Sequence, residues 1–318
     1  MSEAEGAGAP AAPAAGVARL KRWLRPLLGL FAFAFVVATA VDLAARWDER
    51  AVAVDVGFAI ASLVPVVVGT ALQGVAWIAL AERMAGQRTP RLAALALYLD
   101  SQLARYTPGK VGLPIVRMAG APRLGLTARL VGTSVLVEML SWCATGALVG
   151  LLLLAATSAP TEGIIGMLGR NSGVLLGLPL VGAALLVAVD RRRLPGKLRG
   201  LLGLEGVGPL APPVLAALQV LYWMTWAVHG YLLVRALGAP PTPAVGTTGF
   251  SPLANVLGFL ALAAPAGVGV REAVLVAGLS PVLGAPGALA AAVLSRVASL
   301  AAEVGVWGLA RLAAHRAA

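Results

Sequence analysis

The chain has 318 residues, 59% of them hydrophobic and 12% charged, with a mean hydropathy of +0.87 and a formal net charge of +11. A soluble domain carries about 25% charged residues, so this composition excludes one and calls for lipid as the solvent. The 25 Lys and Arg lie between apolar blocks, not in one basic region interleaved with aromatics, which excludes a nucleic-acid partner and reads as membrane orientation. A single cysteine, Cys143, excludes an intrachain disulfide, and two histidines, His229 and His315, are too few for a metal centre, so no cofactor is expected.

Residues 1–20 are rich in Ala, Gly and Pro and are expected to form a disordered tail. Lys21, Arg22 and Arg25 then precede an apolar run read as a first span over 26–46. A signal peptide is the alternative there, because Ala38-Thr39-Ala40 resembles a cleavage site. A second span covers 54–82, and the basic stretch from Arg83 to Arg91 places its end in the cytoplasm. The next apolar stretch, 92–104, holds Asp100 and is too short to cross at about 1.5 Å per residue. Basic residues flank it on both sides, so 92–124 reads as a re-entrant hairpin entering from the cytoplasm; a pair of full crossings remains the alternative.

A span over 128–156 runs outward to a weakly charged loop with Thr161, Glu162 and Arg170. Residues 173–189 return to Asp190-Arg191-Arg192-Arg193, the clearest cytoplasmic marker in the chain. Another span, 213–237, carries Trp223, Trp226 and His229, the last either titrating during transport or hydrogen-bonded to a neighbour. Residues 246–285 are broken at Pro265-Ala266-Gly267-Val268-Gly269 and read as a second hairpin, entering from outside. The last span, 287–310, precedes a short tail, 313–318. The expected architecture is therefore all-α and polytopic, with about six transmembrane helices and two re-entrant hairpins in one domain over 21–312. Its place is the inner (plasma) membrane, with both termini cytoplasmic.

The two broken segments correspond. Pro108-Gly109-Lys110-Val111-Gly112 and Pro265-Ala266-Gly267-Val268-Gly269 share Pro, Val and Gly at the same offsets. Glu138 follows the first Pro by 30 residues and Arg296 follows the second by 31. Paired Pro/Gly-interrupted segments in two halves point to an inverted repeat with a transporter's binding site between them; ordinary kinked spans are the competing reading. Pro108, Gly109, Gly112, Pro265, Gly267 and Gly269 are the expected turn residues.

Charges deep in a span cost several kcal/mol unless paired or hydrated, and so mark function. Glu138 and Arg296 are both deep, and either bind substrate, pair with each other, or do both. Glu303 lies seven residues after Arg296 on about the same face, as a second partner or a proton site. Asp100 and Arg105 are close enough in sequence to pair locally. Lys110, Arg117, Arg271 and Arg296, with Glu272 beside Arg271, suit an anionic group such as a lipid phosphate. Cytoplasmic anchoring is the alternative for Lys110 and Arg117, though not for Arg271 on the outer side.

Arg105-Tyr106-Thr107-Pro108-Gly109-Lys110-Val111-Gly112, with Arg117 and Glu138 downstream, resembles the first signature of the flippase-like transmembrane domain of lysylphosphatidylglycerol synthases. Pro265-Ala266-Gly267-Val268-Gly269-Val270-Arg271-Glu272, followed by Arg296, is similar to the second. The resemblance covers about residues 92–312, with Pro265-Ala266 standing where Pro-Gly is common. It implies translocation or binding of an anionic phospholipid or a polyprenyl-linked lipid. The chain has no room for the aminoacyltransferase domain, and it shows no Gly-x-Ser-x-Gly, no histidine metal motif and no Walker loop. A non-enzymatic flippase is the leading expectation. The alternative is a non-transporting accessory subunit of a synthase or glycosyltransferase.

Overall fold

The computed structural model describes residues 53–105, 111–156, 195–197, 200, 213–261 and 267–316. The expected tail 1–20, the span 26–46 and the loop, span and arginine cluster between 161 and 193 lie outside these residues. Every regular element among the described residues is helical. In chain order these are α1 Val56–Ala61, α2 Leu63–Ala85, α3 Arg91–Ala104, α4 Gly112–Gly120 with the 3-10 turn Ala121–Leu124, and α5 Ala128–Ala156. After them come α6 Pro213–Ala236, α7 Pro241–Gly246, α8 Phe250–Leu260 and α9 Val270–Arg316.

Among the described residues three stretches are both long and apolar enough to cross a bilayer: Val56–Ala85, Ala128–Ala156 and Val270–Leu312. The protein is thus an all-α polytopic membrane protein. Helix α6, at 24 residues, is about 36 Å long and matches the expected span 213–237. Side-chain polarity runs inside out, as lipid requires. On α5 the large apolar residues Leu136, Leu140, Leu148 and Leu152 are exposed, whereas Ser134, Glu138 and Ser141 are buried. Such inward polar groups join helices in a medium that offers them no water. Gln219 of α6 donates to Ser141 of α5, and the Trp223 indole N–H donates to the Trp142 carbonyl at 3.1 Å. Trp77 of α2 donates to Ser134 of α5 at 3.1 Å.

Pro65 explains why α1 and α2 are separate pieces of one span. It has no N–H for the Ala61 carbonyl, and its ring crowds that carbonyl. The helix breaks at Ser62 between them.

Both hairpins are built from helices too short to cross. Helix α3 has 14 residues and α4 has 9, about 21 Å and 14 Å against a core of about 30 Å. They pack on each other and on the spans α5 and α9, which favours the hairpin over two full crossings. In the second half α8 has 11 residues, about 17 Å, and packs on α9. The last span begins near 287 as expected: the stretch α9, Val270–Arg316, is two helices that meet at a kink where the Gly284 backbone departs from helix. There φ is 69° and ψ is 168°, a region open essentially to glycine alone. Pro281 and Pro286 flank it, so a half-length helix meets a full span at one kink.

At the neck of the second hairpin Gly267 has φ 72°, and a Cβ on it would collide with the Gly258 backbone of α8. That close approach is what the Pro-Ala-Gly-Val-Gly run contributes: two half-helices brought backbone to backbone.

Candidate functional site

A partly open cavity lies between the two hairpins, with walls from α2, α3, α4, α5, α6, α8 and α9. Arg117, Glu138, Arg271, Arg296 and Glu303 all line it. Glu272 adjoins it through its bond to Arg296. Lys110, Pro108, Gly109 and Pro265 lie outside the described residues. Gly112 opens α4, and Gly269 has φ 84° just before α9.

Glu138 sits ten residues into the 29-residue α5, about 15 Å from its start. Arg296 is about 18 Å beyond the Gly284 kink. Both are therefore far from the ends of their spans. Glu138 is 6% exposed and Arg296 5%.

Of the readings left open for Glu138 and Arg296, mutual pairing is not what the structure shows: each has an ionic partner within its own half. Glu138 pairs with Arg117 of α4, and Arg296 pairs with Glu272, Nε to Oε1 being 2.6 Å. The reason is geometric: a hairpin that folds back onto its following span presents its own charge to that span before the other half can.

Arg117 is 0% exposed, which rules out the anchoring reading for it. Its Nε donates to Ser101 at 2.7 Å, and its guanidinium lies 4.6 Å from the centroids of both Trp77 and Tyr98. Two aromatic faces, a hydroxyl and a carboxylate together replace the water it has lost. Gln73 of α2 donates to the other Glu138 oxygen at 3.1 Å.

In the second half Glu272 does two jobs. One oxygen accepts from the Gly269 N–H at 2.8 Å, capping α9, and the other accepts from Arg296. Arg271 donates through Nη2 to Ser295 at 2.8 Å and Ser299 at 3.4 Å, with Trp226 stacked 5.6 Å away.

Among the described residues, two ion pairs reach from the first hairpin to the last span. Arg105 pairs with Glu303, and Arg311 with Asp100, which also accepts from the Trp307 indole at 2.9 Å. The expected local pairing is corrected: Asp100 and Arg105 do not close on each other but each reaches across to the last span, where Glu303 pairs with Arg105. Five residues separate Asp100 from Arg105 on α3 and eight separate Glu303 from Arg311 on α9, so two antiparallel helix faces meet at two rungs. His229 is hydrogen-bonded at both ring nitrogens, to Ser62 and Ser295.

Sequence reasoning missed the wall itself. Gln73, Gln102, Trp142, Tyr222, Asn255 and Phe259 also line the cavity. Gln73, Gln102 and Asn255 were visible as lone polar residues in apolar stretches, the usual mark of an inward face. The aromatics gave no such signal, since Trp and Tyr are equally at home at a membrane surface.

Among the lining side chains four are guanidinium groups and two are carboxylates, and Glu272 adds a third carboxylate behind Arg296. The cavity therefore carries an excess of positive charge beside an aromatic wall. Chemically it suits an anion attached to something apolar.

Comparison with curated proteins gives no match. The match to the lysylphosphatidylglycerol synthase TM region extends over residues 22–305, and the chain belongs to that family of membrane proteins.

Proposed function

We propose that the protein is a lipid flippase that takes the phosphate of an anionic or lipid-linked substrate into the cavity between its hairpins and carries it between leaflets. The reading rests on one observation: five charges singled out in the sequence, Arg117, Glu138, Arg271, Arg296 and Glu303, line a single cavity with a surplus of arginine. Two guanidinium groups of the second half, Arg271 and Arg296, offer the planar, multiply donating surface that phosphate oxygens accept. The aromatic wall of Trp142, Tyr222, Trp226 and Phe259 offers an apolar surface for the glycerol and first methylenes. Family membership supports a role in lipid metabolism or transport. No bond needs to be made or broken in this scheme, so the protein acts as a carrier and not as an enzyme. The basic stretches in the sequence support a plasma-membrane location with both termini cytoplasmic.

Purified protein in phosphatidylcholine vesicles doped with fluorescent phosphatidylglycerol tests this, with dithionite bleaching the outer leaflet. Wild-type protein is expected to expose inner-leaflet label to bleaching. Arg271→Ala and Arg296→Ala are expected to lower that rate at least tenfold, the loss of one charge-assisted contact of about 1.5–3 kcal/mol. Wild-type rates in both variants would leave the cavity without a transport role and favour the accessory-subunit alternative.

A further inference from the structure

His229 is 0% exposed in the middle of α6, and both its ring nitrogens are engaged at 2.9 Å. Nδ1 faces the Ser62 carbonyl, which accepts only, so Nδ1 carries the proton. Nε2 is then a bare acceptor, and the Ser295 hydroxyl must donate to it. With that proton committed, the Ser295 oxygen turns a lone pair to Arg271 Nη2, 2.8 Å away. Ser299 behaves alike: its hydroxyl donates to the Ser295 carbonyl at 2.6 Å, leaving its oxygen to accept from the same Nη2. Trp226, one turn before His229, stands edge to face with the imidazole at 5.5 Å and stacks on Arg271.

We propose that His229, acting through Ser295 and Trp226, is a positioning residue that aims Arg271 into the cavity. The chain of contacts runs from the break at Ser62, through α6, to the hairpin half of α9, so three elements of the fold fix one guanidinium. Without an acceptor at His229, the Ser295 hydroxyl turns to the carbonyl one turn back on its own helix, the ordinary choice for a helical serine. The Ser295 oxygen is then oriented by its own helix and no longer by His229, and Arg271 loses the direction that this lone pair set while keeping its charge. The inference rests on the flippase reading, in which Arg271 meets the substrate.

The same vesicle assay tests it, run over a range of mole fractions of fluorescent phosphatidylglycerol. His229→Leu is expected to raise the mole fraction at half-maximal rate about fivefold to tenfold, the worth of one hydrogen bond, with the maximal rate within about twofold. Ser295→Ala is expected to do the same and to add nothing to His229→Leu. His229→Gln, which keeps a donor and an acceptor, is expected to recover part of the shift. In an Arg271→Ala background neither change is expected to shift the half-maximal point further. A lowered thermal midpoint with an unmoved half-maximal point would make His229 a structural residue and overturn the proposal; if His229→Leu does not fold, Ser295→Ala decides the same question. An impaired Arg271→Ala beside wild-type behaviour of the His229 and Ser295 variants sinks this inference alone. A fully active Arg271→Ala sinks the flippase site, and the positioning role with it.

Discussion

In the first half of the protein the hairpin brings the cation, Arg117, and the following span brings the carboxylate, Glu138. In the second half the hairpin brings the carboxylate, Glu272, and the span brings the cation, Arg296. The order of parts is the same in both: a half-length helix, a Pro/Gly break, a second half-length helix, a glycine with positive φ (Gly125 or Gly284), then a span with a deep charge. The sign is reversed. Burial differs too, since the side chains of the first pair are 0% and 7% exposed and the Glu272 side chain is 21% exposed. One half is a closed, aromatic-walled lock. The other keeps its carboxylate nearer the surface, where it also serves as a helix cap. A ligand entering the cavity has less to displace in the second half, which is where the substrate phosphate is proposed to sit.

The largest expected effect is on the first pair. Removing one member of a buried ion pair strands the other and costs about 3–5 kcal/mol. Glu138→Leu leaves the Arg117 guanidinium charged between Trp77 and Tyr98 with no counter-ion from α5, and a loss of this size is expected in the unfolding free energy in detergent. The double variant Arg117→Met/Glu138→Leu is expected to recover most of it, because no charge is then stranded. A double variant as unstable as the single one would show that packing of Arg117, and not its charge, holds the hairpin down. Glu272→Gln, in the more exposed pair, is expected to cost about 1–3 kcal/mol. An equal or larger cost there would erase the contrast between the halves.

Backbone contact at the second neck ranks next. Gly267→Ala meets two penalties, a positive φ and a clash with the Gly258 backbone. Together these are expected to cost about 2–4 kcal/mol, or to splay the hairpin. Cysteine cross-linking between α8 and the start of α9 distinguishes the two outcomes. If the variant matches wild type in both stability and cross-linking, the close approach of the two half-helices has no structural weight.

These features were unequally legible in the sequence. The described spans and the short helices followed from block lengths and from Pro and Gly, because lipid leaves the backbone few choices. The residues that meet in the cavity could be named one by one: Glu138 and Arg296 from the cost of burying charge, Glu303 from its place on the face of Arg296, and Arg117 and Arg271 as cations beside the broken segments. Their partners could not. Which carboxylate faces which arginine depends on how far each hairpin folds back, a distance that no periodicity encodes. Glu138 thus lies against a residue 21 positions earlier, and Asp100 against one 211 positions later. His229 was undecidable for the same reason, since its partners sit on α9 and at the Ser62 break rather than beside it.

The smallest effect on stability is expected where the halves touch. The Arg105 and Arg311 side chains are 33% and 39% exposed and their partners Glu303 and Asp100 7% and 13%, so each pair has one open end where Arg117–Glu138 has none. Such a pair lies between an exposed one, worth about 0–1 kcal/mol, and a sealed one, and Arg105→Gln or Arg311→Gln is expected to cost about 1 kcal/mol, well below Glu138→Leu. Yet these rungs are where α3 of the first hairpin grips the last span of the second half, and Arg105 and Glu303 also line the cavity. A contact this weak can be made and broken during turnover, unlike the buried lock behind it. Arg105→Gln is therefore expected to alter the translocation rate severalfold in vesicles while leaving the melting temperature almost unmoved. A fall in melting temperature as large as that of Glu138→Leu would turn the latch into a second lock, and the division of labour between the fixed and the yielding pairs would be lost.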